Sequence, residues 1–209
     1  MSLAPTLSKL NAVNLMLAAA GESKVSTLIS DGVNDTAVAQ QILDESIIEV
    51  LTDGWDFNTV KKTFSPTIDN EIVVSENYLR VDGEDANYRD RLTVRSNLLY
   101  NLDDDTNVFT TDVVARVTQN LSWEDIPSAV RYYIARYAAR VYQNRVLGDP
   151  STDQILAQEE LRAWERCKKH DSKTADRSWI YDSRSSGSYI ARRNTPYNNG
   201  YGHSDHTPL

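Results

Sequence analysis

Apolar positions recur at two different spacings along the chain, and the change of spacing divides it. From Ser8 to Ala20, Leu10, Val13, Leu17 and Ala20 share one face at the helical period, and Gly21 supplies a stop. A polar loop follows. Ala39, Ile42, Leu43, Ile47, Val50 and Leu51 then predict a second helix running to about Thr52, with Asp35 as its cap and Gly54 as its end. Immediately beyond that end stands "DGWDFNT". Here Trp55 and Phe57 are placed to fold back onto the last helical turn. They are two residues apart, so an extended backbone points them the same way, while Asp56 and Asn58 face outward or bond turn amides.

The helical pattern then breaks off. "VKKTF", "EIVV", "YLRV", "RLTVR", "NLLYN" and "DVVARV" are brief, rich in β-branched and aromatic residues, and separated by Asp, Asn, Gly or Pro. They predict an antiparallel β-region, with Asp103, Asp104 and Asp105 at a hairpin tip. Helical spacing returns at Ser122, where "SWED" reads as a capping box and Pro127 as a first-turn residue. Val130, Ile134, Tyr137 or Ala138, and Val141 carry that stripe to Leu147. After "GDP", Ser151 and Gln154 form another capping box. Ala157, Leu161, Trp164 and Cys167 mark one side of a last helix.

These elements predict an α+β fold. About four helices form a bundle, interrupted by an antiparallel β-rich insertion and followed by an extended C-terminal arm. The boundaries fall at residues 1–57 and 120–171 for the two parts of the helical domain, 58–119 for the insertion and 172–209 for the arm. The arm is poor in aliphatics but carries Trp179, Tyr181, Tyr189, Tyr197 and Tyr201 among Arg177, Arg184, Arg192 and Arg193. Tyr, Trp and Arg are enriched in binding hot spots, so the arm reads as a segment that meets a partner.

Composition narrows the function. A chain of 209 residues buries roughly 70% of its unfolded surface and needs no covalent staple. One cysteine, Cys167, excludes an internal disulfide. The net charge of −8 argues against a general nucleic-acid binder. "LMLAAAG" imitates a signal-peptide core, but its apolar run is short and reads as helix. No apolar run approaches the roughly 20 residues of a membrane span.

Candidate chemistry is sparse. There is no phosphate-binding loop, dinucleotide fingerprint, nucleophile elbow or zinc-protease motif. His203 and His206 in "HSDH" lack a supporting shell, and the Asp103–Asp105 triplet lacks calcium-loop spacing. No metal or cofactor is expected. Asp44, Glu45 and Glu49 provide carboxylates from which a glycan hydrolase could draw a pair, the alternative to a structural role. Arg131, Arg136, Arg140 and Arg145 lie along one helix, either as ordinary surface charge or as a basic strip toward a neighbour.

Four segments carry a family resemblance: "AVNLMLAAAGESKVSTL" (Ala12 to Leu28), "EVLTDGWDFNT" (Glu49 to Thr59), "SWEDIPSAVRYYIARYAARVYQNRVLGD" (Ser122 to Asp149) and the last charged helix. The chain resembles the tail tubular protein A family of T7-like, short-tailed phages. That resemblance implies a structural virion protein of the tail, assembled in the host cytoplasm and without catalysis. It implies a dodecameric ring of copies of this chain between the portal protein and the tail nozzle protein. Duplex DNA would pass through the lumen without specific binding, and no membrane is involved. Gly54, Trp55 and Phe57 are then expected to form a hinge joining helical and β-rich parts. Arg136, Arg140, Trp179, Tyr181, Tyr189, Arg192, Arg193 and Tyr197 are expected at a subunit or portal interface.

Overall fold

The computed structural model describes residues 7–29, 34–84, 88 and 91–181, with side chains to residue 172. Among the described residues the fold is α+β, with four helices and antiparallel sheets. Residues Met1–Thr174 form one compact unit and Ala175–Leu209 a second.

Helix α1 spans Lys9–Ala19, and Ser8 caps it by accepting the Asn11 N–H. Its end is closed by Gly21, in the left-handed region at φ +74°. There the Gly21 N–H reaches the Ala18 carbonyl and the Glu22 N–H reaches that of Leu17. Helix α2 spans Asn34–Thr52, so Asp35 lies in its first turn rather than at its cap. The expected α2 stripe is buried in full.

Helix α3 spans Ser128–Val146, and Pro127 stands at its cap, not in its first turn. "SWED" is a separate tight turn before the helix. The Ser122 hydroxyl donates to Asp125, and Trp123 and Ile126 go into the core. Helix α4 spans Pro150–Tyr181, ten residues beyond Asp171, where the composition shifts. Its cap is Asp149, not Ser151: this carboxylate accepts the Ser151 and Thr152 N–H groups and both hydroxyls. The anion also faces the positive end of the helix. Among the described residues Leu156, Ala163 and Cys167 are the buried α4 positions, whereas Leu161 is exposed.

Strands β1 (Thr59–Phe64), β2 (Tyr78–Gly83) and β5 (Val113–Gln119) form an antiparallel sheet with β5 in the centre. Strands β3 (Leu92–Arg95) and β4 (Leu98–Asn101) form a hairpin. Ser96 and Asn97, both at positive φ, make its two-residue turn. "EIVV" is not a regular strand. It contributes isolated bridges from Glu71 to Val108 and from Val73 to Leu98, while Ile72 and Val74 point into the sheet core. The acidic tip does close on itself, with Asn101 and Thr106 exchanging backbone bonds. Asp103, Asp104 and Asp105 are held by Arg91, Asn101 and Tyr100.

Two apolar cores result. The helices bury Val13, Leu17, Leu43, Ile134 and their neighbours. The strands bury Ile72, Leu99, Val113 and Val117 among others.

Candidate functional site: the joint at the end of α2

The two cores meet where α2 ends and β1 begins. A helix terminus leaves its last carbonyls without partners, and a buried terminus must supply them. Here the sequence after the helix does so. Gly54, at φ +77°, turns the chain and sends its N–H to the Leu51 carbonyl. Trp55 folds back as expected and its indole N–H donates to the Val50 carbonyl at 2.7 Å. Residues Asp56–Asn58 form a 3-10 turn, so the backbone is not extended. Even so, Trp55 and Phe57 face each other, with ring centroids 6.4 Å apart and planes at 24°.

Asn58 is the residue that ties this turn to the sheet. It is fully buried rather than facing outward. Its amide donates to the Leu51 carbonyl at 2.9 Å and to the Gln119 carbonyl at 3.0 Å, and its oxygen accepts the Trp55 N–H at 2.8 Å. One side chain therefore bonds the end of α2, the turn, and the end of central strand β5. A Cβ on Gly54 would lie 3.1 Å from Arg80 Nη2 and 3.3 Å from Thr118 Oγ1, so β2 and β5 close in on the glycine as well. The signal for Asn58 was its place: Asn bonds local backbone at turns and sits here between a helix stop and a strand.

The aromatic pair packs in the helical core. Trp55 meets Trp164 edge-on at 5.3 Å, and Tyr133 tilts against Trp164 at 4.9 Å. Rings from α3 and α4 thereby reach the α2 terminus. Asp171 completes the contact by accepting the Asp56 N–H at 3.0 Å. Burial holds the Asp171 carboxyl above its usual range. Burial, with Asp171 nearby, also pushes the Cys167 thiol up to about 12, so Cys167 is an inert core group.

The α3 arginines are engaged within the chain. Arg140 grips Asp153 through two nitrogens and also bonds Glu160; Arg136 pairs with Glu159; Arg145 pairs with Glu45. Arg131 is buried and donates to the Leu7 carbonyl. Trp179 and Tyr181 belong to the last turns of α4, and their side chains lie outside the described residues. Tyr189, Arg192, Arg193 and Tyr197 lie wholly outside them, as do His203 and His206. Among the described residues no three His, Cys, Asp or Glu side chains cluster to hold a metal, and no helix is long and apolar enough to cross a membrane.

What the described residues build is a hydrogen-bonded junction between two packed cores. A family model described as tail tubular protein matches residues 10–177. Tail tubular protein A of Klebsiella phage KP34 is 32% identical over 142 residues, which cover 68% of this chain and 75% of that protein. The chain belongs to the tail tubular protein family. It is a structural component of a phage tail, located in the virion, and not an enzyme. The hydrolase reading of Asp44, Glu45 and Glu49 falls with that assignment.

Proposed function

We propose that the protein forms a ring between the portal protein and the tail nozzle protein, extending the DNA channel and helping to retain and deliver the genome. Membership of the tail tubular protein family is the observation that carries this reading. The joint at Gly54, Trp55 and Phe57, completed by Asn58, suits such a part. It ties helices and sheet together so that load on one core is transmitted to the other.

The net charge of −8 suits a channel wall that repels phosphates and lets duplex DNA slide. Trp179, Tyr181, Tyr189, Arg192, Arg193 and Tyr197 are proposed to reach a neighbouring subunit or the portal. The ion pairs of Arg136 and Arg140 set the position of α4, so these two residues serve an interface by holding the helix that leads toward it.

Size-exclusion chromatography with light scattering, with and without purified portal protein, tests the reading. A complex holding many copies of this chain per portal is expected. A portal that elutes unchanged, with the chain still monomeric beside it, overturns the proposal.

A further inference from the structure

We propose that the outer face of α4 docks on the outer face of α2 of a second copy, a contact between unlike faces that repeats from subunit to subunit. The proposal rests on the ring reading above and deepens it by naming the contact.

The α4 helix has two faces of opposite character. Its inner acids, Asp153, Glu159 and Glu160, are consumed by Arg136 and Arg140. Its outer face between residues 161 and 169 exposes Arg162, Arg166, Lys168 and Lys169 against a single acid, Glu165. None of these four cations has a carboxylate within ion-pair distance among the described residues; Lys168 lies over the Trp164 ring at 5.3 Å. Exposed apolar groups flank the strip, Ile155 at 63% and Leu161 at 57%. In a chain of net charge −8 this is a concentrated patch of the minority sign.

The α2 helix presents the complement. It contains no Lys or Arg. Its exposed side carries Asp44, Glu45 and Glu49, with Asp53 just past its end and with Val38 and Ile48 exposed between the polar groups. Asp44 and Glu45 are bridged to Lys9 and Arg145, and Glu49 accepts the Tyr137 hydroxyl; neither Glu49 nor Asp53 has a cationic partner among the described residues. Each face thus combines charge of one sign with one or two exposed aliphatics. Opposite charge gives register and orientation, and the aliphatics give area to bury.

Phosphate is the competing partner for the basic strip. The exposed Ile155 and Leu161 and the interposed Glu165 disfavour it, since a DNA backbone offers no apolar surface and repels a carboxylate. The two faces lie on different helices of one chain. Used in one direction from each subunit to the next, the contact is heterologous and closes into a ring when the rotation per subunit permits, whereas the same contact made reciprocally would stop at a dimer.

The test uses the full-length chain and exposed positions only. Sedimentation velocity at low and high salt compares wild type, the α4 variant Arg162→Glu/Arg166→Glu and the α2 variant Glu49→Lys/Asp53→Lys. Wild type is expected to self-associate at low salt and dissociate as salt rises. Each variant alone is expected to associate at least about tenfold more weakly, because like charges then face each other. An equimolar mixture of the two is expected to regain association, since each reversed face again meets its opposite.

A neutral pair, Glu49→Gln/Asp53→Asn, checks the same contact with little risk to folding, which circular dichroism monitors. Wild type that stays monomeric at low salt, variants that associate as well as wild type, or a mixture that fails to recover overturns the contact. So does duplex DNA binding, read by fluorescence anisotropy, that the α4 variant abolishes. If the reversed variants still load many copies onto the portal, this contact is wrong and the ring reading stands. If wild type itself fails to load, the ring reading falls.

Discussion

Replacing Asn58 by Ala removes a side chain that bonds helix, turn and sheet together. Three hydrogen bonds are lost: two to the Leu51 and Gln119 carbonyls and one from the Trp55 N–H. Leu51 keeps a partner in the Gly54 N–H. The Trp55 N–H and the Gln119 carbonyl lose the partner that Asn58 supplied, at a site where the side chain is fully buried. Each such group costs about 1–3 kcal/mol, which gives about 2–4 kcal/mol after some relaxation. A domain of this size then melts roughly 5–15 °C lower.

Asn58→Asp sharpens the test because it keeps the shape. Its carboxylate can still accept the Trp55 N–H but faces two carbonyl oxygens. Burial and those oxygens raise its folded pKa above the ordinary carboxylate value. Its penalty is therefore full at neutral pH and shrinks as pH falls toward about 4. Urea unfolding followed by tryptophan fluorescence measures both variants, since Trp55 and Trp164 lie at the joint. A loss below about 0.5 kcal/mol for Asn58→Ala, or an Asp variant no worse at neutral than at acid pH, would refute the assignment of Asn58 as the tie.

Further outcomes follow from the same contacts. Trp55→Ala is expected to cost about 3–5 kcal/mol in urea unfolding, since it empties a core site and strips the Val50 carbonyl of its partner. Gly54→Ala is expected to cost about 1–2 kcal/mol by the same measurement, because a Cβ is disfavoured at its positive φ. In acid, Glu84 is held below its usual range by Lys61, Asp153 by Arg140, and Asp149 by Thr152 and Ser151. Lowered folded values mean stability that is present above the unfolded carboxylate range and lost as pH falls below about 4, and thermal melts from pH 7 to 2 should show that decline. A chain ending at Thr174 should melt as the full-length protein does yet fail to assemble on the portal, as read by circular dichroism and light scattering.

The helices were legible because their stripes obey one strong rule, and the buried α2 positions match it residue for residue. Helix ends were less legible, because several residues near each end are chemically able to cap. Asp149 outcompetes Ser151 since its carboxylate reaches two N–H groups and two hydroxyls at once. Short strands suffer a related ambiguity: "EIVV" is rich in β-branched residues and buries Ile72 and Val74, but finds only isolated bridging partners.

At the joint, Trp55 was readable from its position after Gly54. The burial of Asn58 was not, because it depends on the Gln119 carbonyl, 61 residues away in sequence. The pairing of Arg136 and Arg140 was hidden for the same reason: spacing along α3 shows which arginines share a face but not which carboxylates of α4 oppose them.

Electron cryomicroscopy of the intact virion tail would show where the chain sits and in how many copies. Repeated copies of this α+β fold are expected in a ring between portal and nozzle, with an axial passage wide enough for duplex DNA. A map that places the chain elsewhere on the tail, or as single copies outside the channel axis, would contradict it.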